Sequence, residues 1–164
     1  MSAPSAPADH AVMRRVADVC GDEADILALS VARFVAAGYM TSDDVACWNA
    51  AFDGAEQLLG PAEGCRFVAC VVAIIRALRA ERDDDWSFMP ASCCRVTGHE
   101  CALVNLINRG RQRLWADLEE AAAAITGRET APRLVAAVRA AVGPLDAAAE
   151  RLAPAARPGG VVLH

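Results

Sequence analysis

The chain has 164 residues, 55% of them hydrophobic and 23% charged, with a formal net charge of −5. That length suits one domain with a real core, and the charged share excludes a disordered chain. The acidic balance argues against nucleic-acid binding, which needs a basic footprint. All 16 basic residues are arginine, which reads as the codon bias of a GC-rich bacterial genome more than as chemistry. Met1–Ala8 is small and Pro-rich, with neither the basic start nor the apolar segment of a signal peptide. A cytoplasmic protein with its 7 cysteines reduced is therefore expected.

Residues 1–8 read as a loose tail. A short helix is predicted from about Asp9, its cap, to Cys20, stopped by Gly21. A second starts at Asp22, with an acidic first turn that suits the positive end of the helix dipole, and is expected to stop at Gly38. Thr41-Ser42-Asp43-Asp44 supplies caps for a third helix reaching about Leu59, with Val45, Trp48, Phe52, Leu58 and Leu59 facing inward. Gly60-Pro61 ends it, and so short a link implies antiparallel neighbours.

The stretch Cys65–Leu78 organises the rest. From Phe67 to Ile75 nine consecutive residues are apolar, without the polar interruptions of a helix that has a wet face. A central helix over about 62–80, covered on all sides, is the expectation. A membrane span would need about twenty such residues, and Arg66 and Arg76 flank this run. Arg76, Arg79 and Arg82 suit its C-terminal dipole.

Residues 83–96 have no helical period, contain Pro90 and are rich in special residue types. A long irregular stretch inside a domain is often functional. Thr97-Gly98-His99-Glu100 then forms a capping box, with Val96 and Cys101 in the staple positions. The helix it opens is expected to run from Gly98 through Leu114, Trp115 and Leu118 to Ile125, before Gly127, with Gly110 allowing a close helix crossing. Thr130-Ala131-Pro132 opens another to Val142, Gly143-Pro144 stops it, and a last short helix covers Leu145–Leu152. Residues 154–164 read as a flexible tail. The predicted fold is all-α: a single-domain bundle, residues 9–153, of five to seven helices, with the 83–96 loop across one end.

Candidate site residues cluster around that loop: Trp86, Cys93, Cys94, Arg95, His99 and Glu100. Cys93, Cys94 and His99 are possible ligands for zinc or iron, which take thiolate and imidazole in tetrahedral sets. The spacing is poor, since adjacent cysteines strain a common site and no two-residue gap is present. His99 and Cys101 lie about 200° apart on a helix, so Cys101 belongs to the core; Cys65 and Cys70 are a poor pair for the same reason. Cys20, Cys47, Cys65 and Cys70 read as small apolar residues. A second possibility is a reactive thiol: Cys94 precedes a helix N-terminus and adjoins Arg95, and both favour thiolate. The plain alternative is two loop cysteines packed on Trp86 and Phe88. A third, an acid–base site of His99, Glu100 and Asp83–Asp85 with Cys94 as nucleophile, is weakest, because Glu100 is explained by the capping box. No P-loop, dinucleotide fingerprint, di-iron set or nucleophile elbow is present, so no catalytic residue is nominated. Arg109, Arg111 and Arg113 do not make a clean phosphate stripe, because 111 lies opposite the other two; salt bridges explain them better.

The function expected from the residues is a non-catalytic helical module that binds a protein partner or a small ligand and self-associates as a homodimer. The alternative is a metal-binding or thiol redox-responsive protein using Cys93, Cys94 and His99.

Overall fold

The structure, a computed structural model, describes residues 13–41 and 45–154. The fold is an all-α bundle with helices α1 (Val16–Val19), α2 (Glu23–Met40), α3 (Val45–Leu59), α4 (Pro61–Glu81), α5 (Gly98–Arg111), α6 (Trp115–Thr126) and α7 (Pro132–Leu152). The residues predicted as tails, and Ser42–Asp44, lie outside the described residues apart from Pro154. One core cluster draws on α2 through α7, with Phe67, Ile74, Leu106, Leu118, Leu134 and Leu145 among its most enclosed side chains. No described helix is long and apolar enough to cross a membrane.

Local chemistry explains three of the helix starts. The Asp22 carboxylate caps α2 by accepting from the Asp25 amide. Pro61 stands at the start of α4, where its missing N–H costs nothing. Gly60 is the whole link between α3 and α4, at φ +83°, a region glycine enters freely. The α5 capping box is present in both directions: the Thr97 hydroxyl accepts from the Glu100 amide, and the Glu100 carboxylate from the Thr97 amide. The start of α7 has no side-chain cap of its own. Buried Glu81, at the end of α4, supplies one instead: its two oxygens accept from the Arg133 and Leu134 amides, at 2.9 Å each. A carboxylate there also faces the positive end of the α7 dipole.

Six expectations are corrected. Within the described residues α1 is a single turn, Val16–Val19, with residues 13–15 outside it, while the expected start at Asp9 lies outside the described residues. Gly38 does not stop α2, which runs to Met40. It is there for space, because a Cβ would sit 2.5 Å from Trp48 Nε1. Val45 and Leu58 point outward rather than into the core. The helix from Gly98 breaks at residues 112–114, where Arg113 takes φ +59°, and α6 begins at Trp115, itself partly exposed. α7 is one helix straight through Gly143-Pro144, since its apolar face, Leu134, Val138, Ala141, Val142, Leu145 and Ala148, is buried across the proline. Finally, α4 is not covered on all sides. It packs on α2, α3 and α7, but Cys65, Ala69, Ala73, Arg76 and Ala80 are exposed along an outward face. Alanine and cysteine are small enough to leave that face open while scoring as apolar, which hid the period.

Other expectations hold. Gly110 does permit a close crossing, since a Cβ there would lie 2.5 Å from Val138 Cγ1 on α7. Arg111 pairs with Asp22, Asp25 and Asp146, Arg113 with Asp146, and Arg109 with Asp117. Burial alone would raise the Asp22 carboxyl, but hydrogen bonds from Arg111 and the Asp25 amide outweigh it and hold the group below its ordinary value. Cys101 packs with Val96, Leu29 and Val104 in a small second cluster under α1. The chain just before α1 meets the long loop: Val16 N–H donates to the Cys94 carbonyl and Val96 N–H to the Arg14 carbonyl, an isolated antiparallel bridge between Arg15 and Arg95.

Candidate functional site

Residues 83–96 cross one end of the bundle as irregular chain, and a segment without its own hydrogen-bond ladder needs outside partners. They come from one buried ion pair. Arg33, on α2, and Glu100, in the first turn of α5, are 3% and 0% exposed. Arg33 Nε donates to Glu100 Oε1 at 2.7 Å and Nη2 to Oε2 at 3.1 Å. The guanidinium also donates to the carbonyls of Cys93 and Arg95, at 2.6 Å each. The carboxylate accepts from the Met89 and Thr97 amides. The pair thus ties both halves of the loop to α2 and α5, and its charges are fully engaged, which is what makes burying them tolerable.

Next to this hub, His99 stacks on Trp86 with ring centroids 4.8 Å apart, and Trp86 meets Phe88 at 5.6 Å. The Ser87 amide donates to His99 Nδ1 at 3.0 Å, and Arg82 Nη2 lies 3.4 Å from Nε2. Both ring nitrogens are therefore engaged. Cys93 Sγ accepts from the Arg95 amide at 3.4 Å, Cys94 is exposed, and no disulfide joins any two of the described cysteines. The structure does not bring Cys93, Cys94 and His99 together, and among the described residues no three His, Cys, Asp or Glu side chains are placed to hold a metal ion. Glu100, enclosed and committed to Arg33, is in no position to move protons for a substrate. Arg95 donates to the Met13 carbonyl, tying down the chain before α1.

What the loop does build is a groove. Trp86 and Phe88 form one wall with Asp84 and Asp85 at its rim; α2 contributes Ala36, Tyr39 and Met40; α4 and its end contribute Ile75, Leu78, Arg79 and Arg82. The volume is about 590 Å³, within the range of small-molecule sites. The Arg79 guanidinium lies 4.0 Å over the Tyr39 ring, and that of Arg82 5.4 Å from the Trp86 centroid. Arg82 spends donors on the Asp84 and Ile125 carbonyls. Trp86 Nε1 is buried with no acceptor among the described residues.

Of the six residues nominated for the site, Trp86 alone lines this groove, with Asp84 and Asp85, named only for an acid–base site, at its rim; His99 and Glu100 hold its wall from behind. Arg33, Tyr39, Met40 and Arg79 were missed as site residues. Arg33 left one signal, a lone arginine in the apolar run Val31–Ala37. Comparison with known proteins gives no match to a family model, a curated protein or a solved structure.

Proposed function

We propose that the protein is a non-catalytic helical module that binds a small ligand in the groove between α2, α4 and the 83–96 loop. One observation carries this reading: two charges are buried in an apolar bundle to fix an irregular loop, and the loop so fixed is the aromatic wall of a ligand-sized cleft. Buried ion pairs are poor devices for stability alone, whereas a binding wall has to be held in place before its ligand arrives. A thermal-shift screen of small organic compounds tests the proposal, with Met40→Trp as control. Met40 lines the groove and is 79% exposed, so a larger side chain adds bulk at the groove's edge without disturbing the core. Compounds that raise the melting temperature of the native chain and not of Met40→Trp support the reading; stabilisation equal in both places the ligand elsewhere, and partner capture that survives Met40→Trp favours a protein-binding face instead.

The expected homodimer belongs to the same proposal. The outward face of α4, small and apolar at Cys65, Ala69, Ala73 and Ala80, is where a second copy packs. Light scattering that returns the mass of a single 17.2 kDa chain at high concentration removes it.

A further inference from the structure

We infer that the groove takes a flat organic anion, an aromatic body bearing a carboxylate or sulfonate; the inference rests on the binding-module reading above and adds the chemistry of the ligand. The first ground is Arg79. Among the described residues its side chain makes no ion pair and no hydrogen bond, and its guanidinium lies 4.0 Å over the Tyr39 ring. A guanidinium engaged only by a ring keeps its N–H groups free, and two of them can meet a carboxylate in parallel hydrogen bonds.

The second ground is what the aromatic side chains exclude. Tyr39, Trp86 and Phe88 around one cleft resemble a cage for a cationic head group. Here, however, guanidinium groups already lie against the Tyr39 and Trp86 rings, and a second cation would be repelled. The rings therefore offer apolar surface and stacking edges to an aromatic body, and the arginines offer charge to its acid group. The third ground is the rim. Asp84 and Asp85 are exposed, and neither pairs with Arg79 or Arg82 through its carboxylate. Exposed charges are screened only beyond about 8–10 Å at ordinary salt, and both acids line the groove itself, so the Arg79 contact with a single anion has to outweigh them. They also oppose an extended polyanion lying across the opening, as does the net charge of −5. The buried Trp86 Nε1, without an acceptor, leaves one more donor at the aromatic wall.

The test uses two dyes with the same ring system. 1-Anilinonaphthalene-8-sulfonate carries the anion, and N-phenyl-1-naphthylamine lacks it. Both are titrated by fluorescence into the native chain, Arg79→Gln and Met40→Trp, with circular dichroism confirming that each variant is folded. Arg79 is exposed, so its replacement leaves the core intact. The expected result is that the sulfonate binds roughly tenfold more tightly than the neutral dye, the size of one charge-assisted contact, that Arg79→Gln removes this preference, and that Met40→Trp abolishes both. Equal binding of the two dyes, lost together in Met40→Trp, overturns the anion and leaves the groove standing. A sulfonate preference that survives Arg79→Gln also overturns it. Binding of neither dye, or binding indifferent to both substitutions, removes the inference and the groove with it.

Discussion

Separating Arg33 from Glu100 should be the most damaging polar change available in the described structure. Arg33→Met leaves a carboxylate that is 0% exposed with only the Met89 and Thr97 amides for company, and orphans the carbonyls of Cys93 and Arg95. Glu100→Gln leaves the opposite fault, a buried guanidinium without a counter-charge, and turns an amide nitrogen toward groups that are themselves donors. Breaking a buried pair from either side costs about 3–5 kcal/mol. At about 2–4 °C per kcal/mol for a chain of this size, each single variant should melt roughly 6–20 °C lower. Arg33→Met/Glu100→Gln removes both charges together, so it should cost about as much as one single variant, not the sum. Urea unfolding of all four proteins supplies the cycle, and hydrogen exchange at the Met89 and Thr97 amides reports whether the loop has come loose. Single variants within about 1 kcal/mol of the native chain, or strict additivity in the double, would refute the claim that this pair holds the loop.

Gly110→Ala should destabilise by about 1–3 kcal/mol, because the added methyl meets Val138 Cγ1 at 2.5 Å, although helix propensity alone favours alanine by about 1 kcal/mol; adding Val138→Ala should recover part of the loss, and a Gly110→Ala protein more stable than native would contradict the crossing geometry. In the native chain, thiol titration near pH 8 should modify exposed Cys65 and Cys94 quickly and Cys20 slowly, since burial first, and the Asp25 carboxylate next, push its pKa up to about 12; mass mapping after a short pulse shows the order, and early label on Cys20 is the contrary result. Asp22 should matter less in acid. Its carboxyl titrates below its ordinary 3.8 when folded, so its contribution is present above that value and is lost as pH falls through the lower folded one. The gap in urea midpoint between native and Asp22→Asn protein should therefore narrow from about pH 5 to about pH 2, and a constant gap means that the charge is not what Asp22 supplies.

The features legible in the sequence were those whose cause is local. The Thr97–Glu100 capping box, the Pro61 start and the acidic beginning of α2 rest on residues three or four apart, and they fold as read. Glu100 shows the limit. Its local role accounted for it so fully that its second partner, 67 residues away, left no trace in the pattern. Stop signals failed where packing prevails over propensity. Gly38 gives room to Trp48, and Pro144 is carried inside a helix whose apolar face continues past it. Residues 112–114, where the helix breaks before α6, hold no glycine or proline; Gly110 stands just ahead of them but reads as a crossing site, and it is Arg113 that takes the positive φ. The groove was invisible for a related reason: Tyr39, Arg79 and Trp86 come from three segments that only the fold brings together.

The bridge between Arg15 and Arg95 closes a loop of a different kind. Two backbone hydrogen bonds and the Arg95 side chain join the chain just before α1 to the stretch whose carbonyls Arg33 grips. That early segment is therefore tied to the back of the groove as well as, through α1, to the helical core. A fusion or tether close to Arg14 pulls on the stretch that Arg33 grips, whereas one placed at the end of α7 does not.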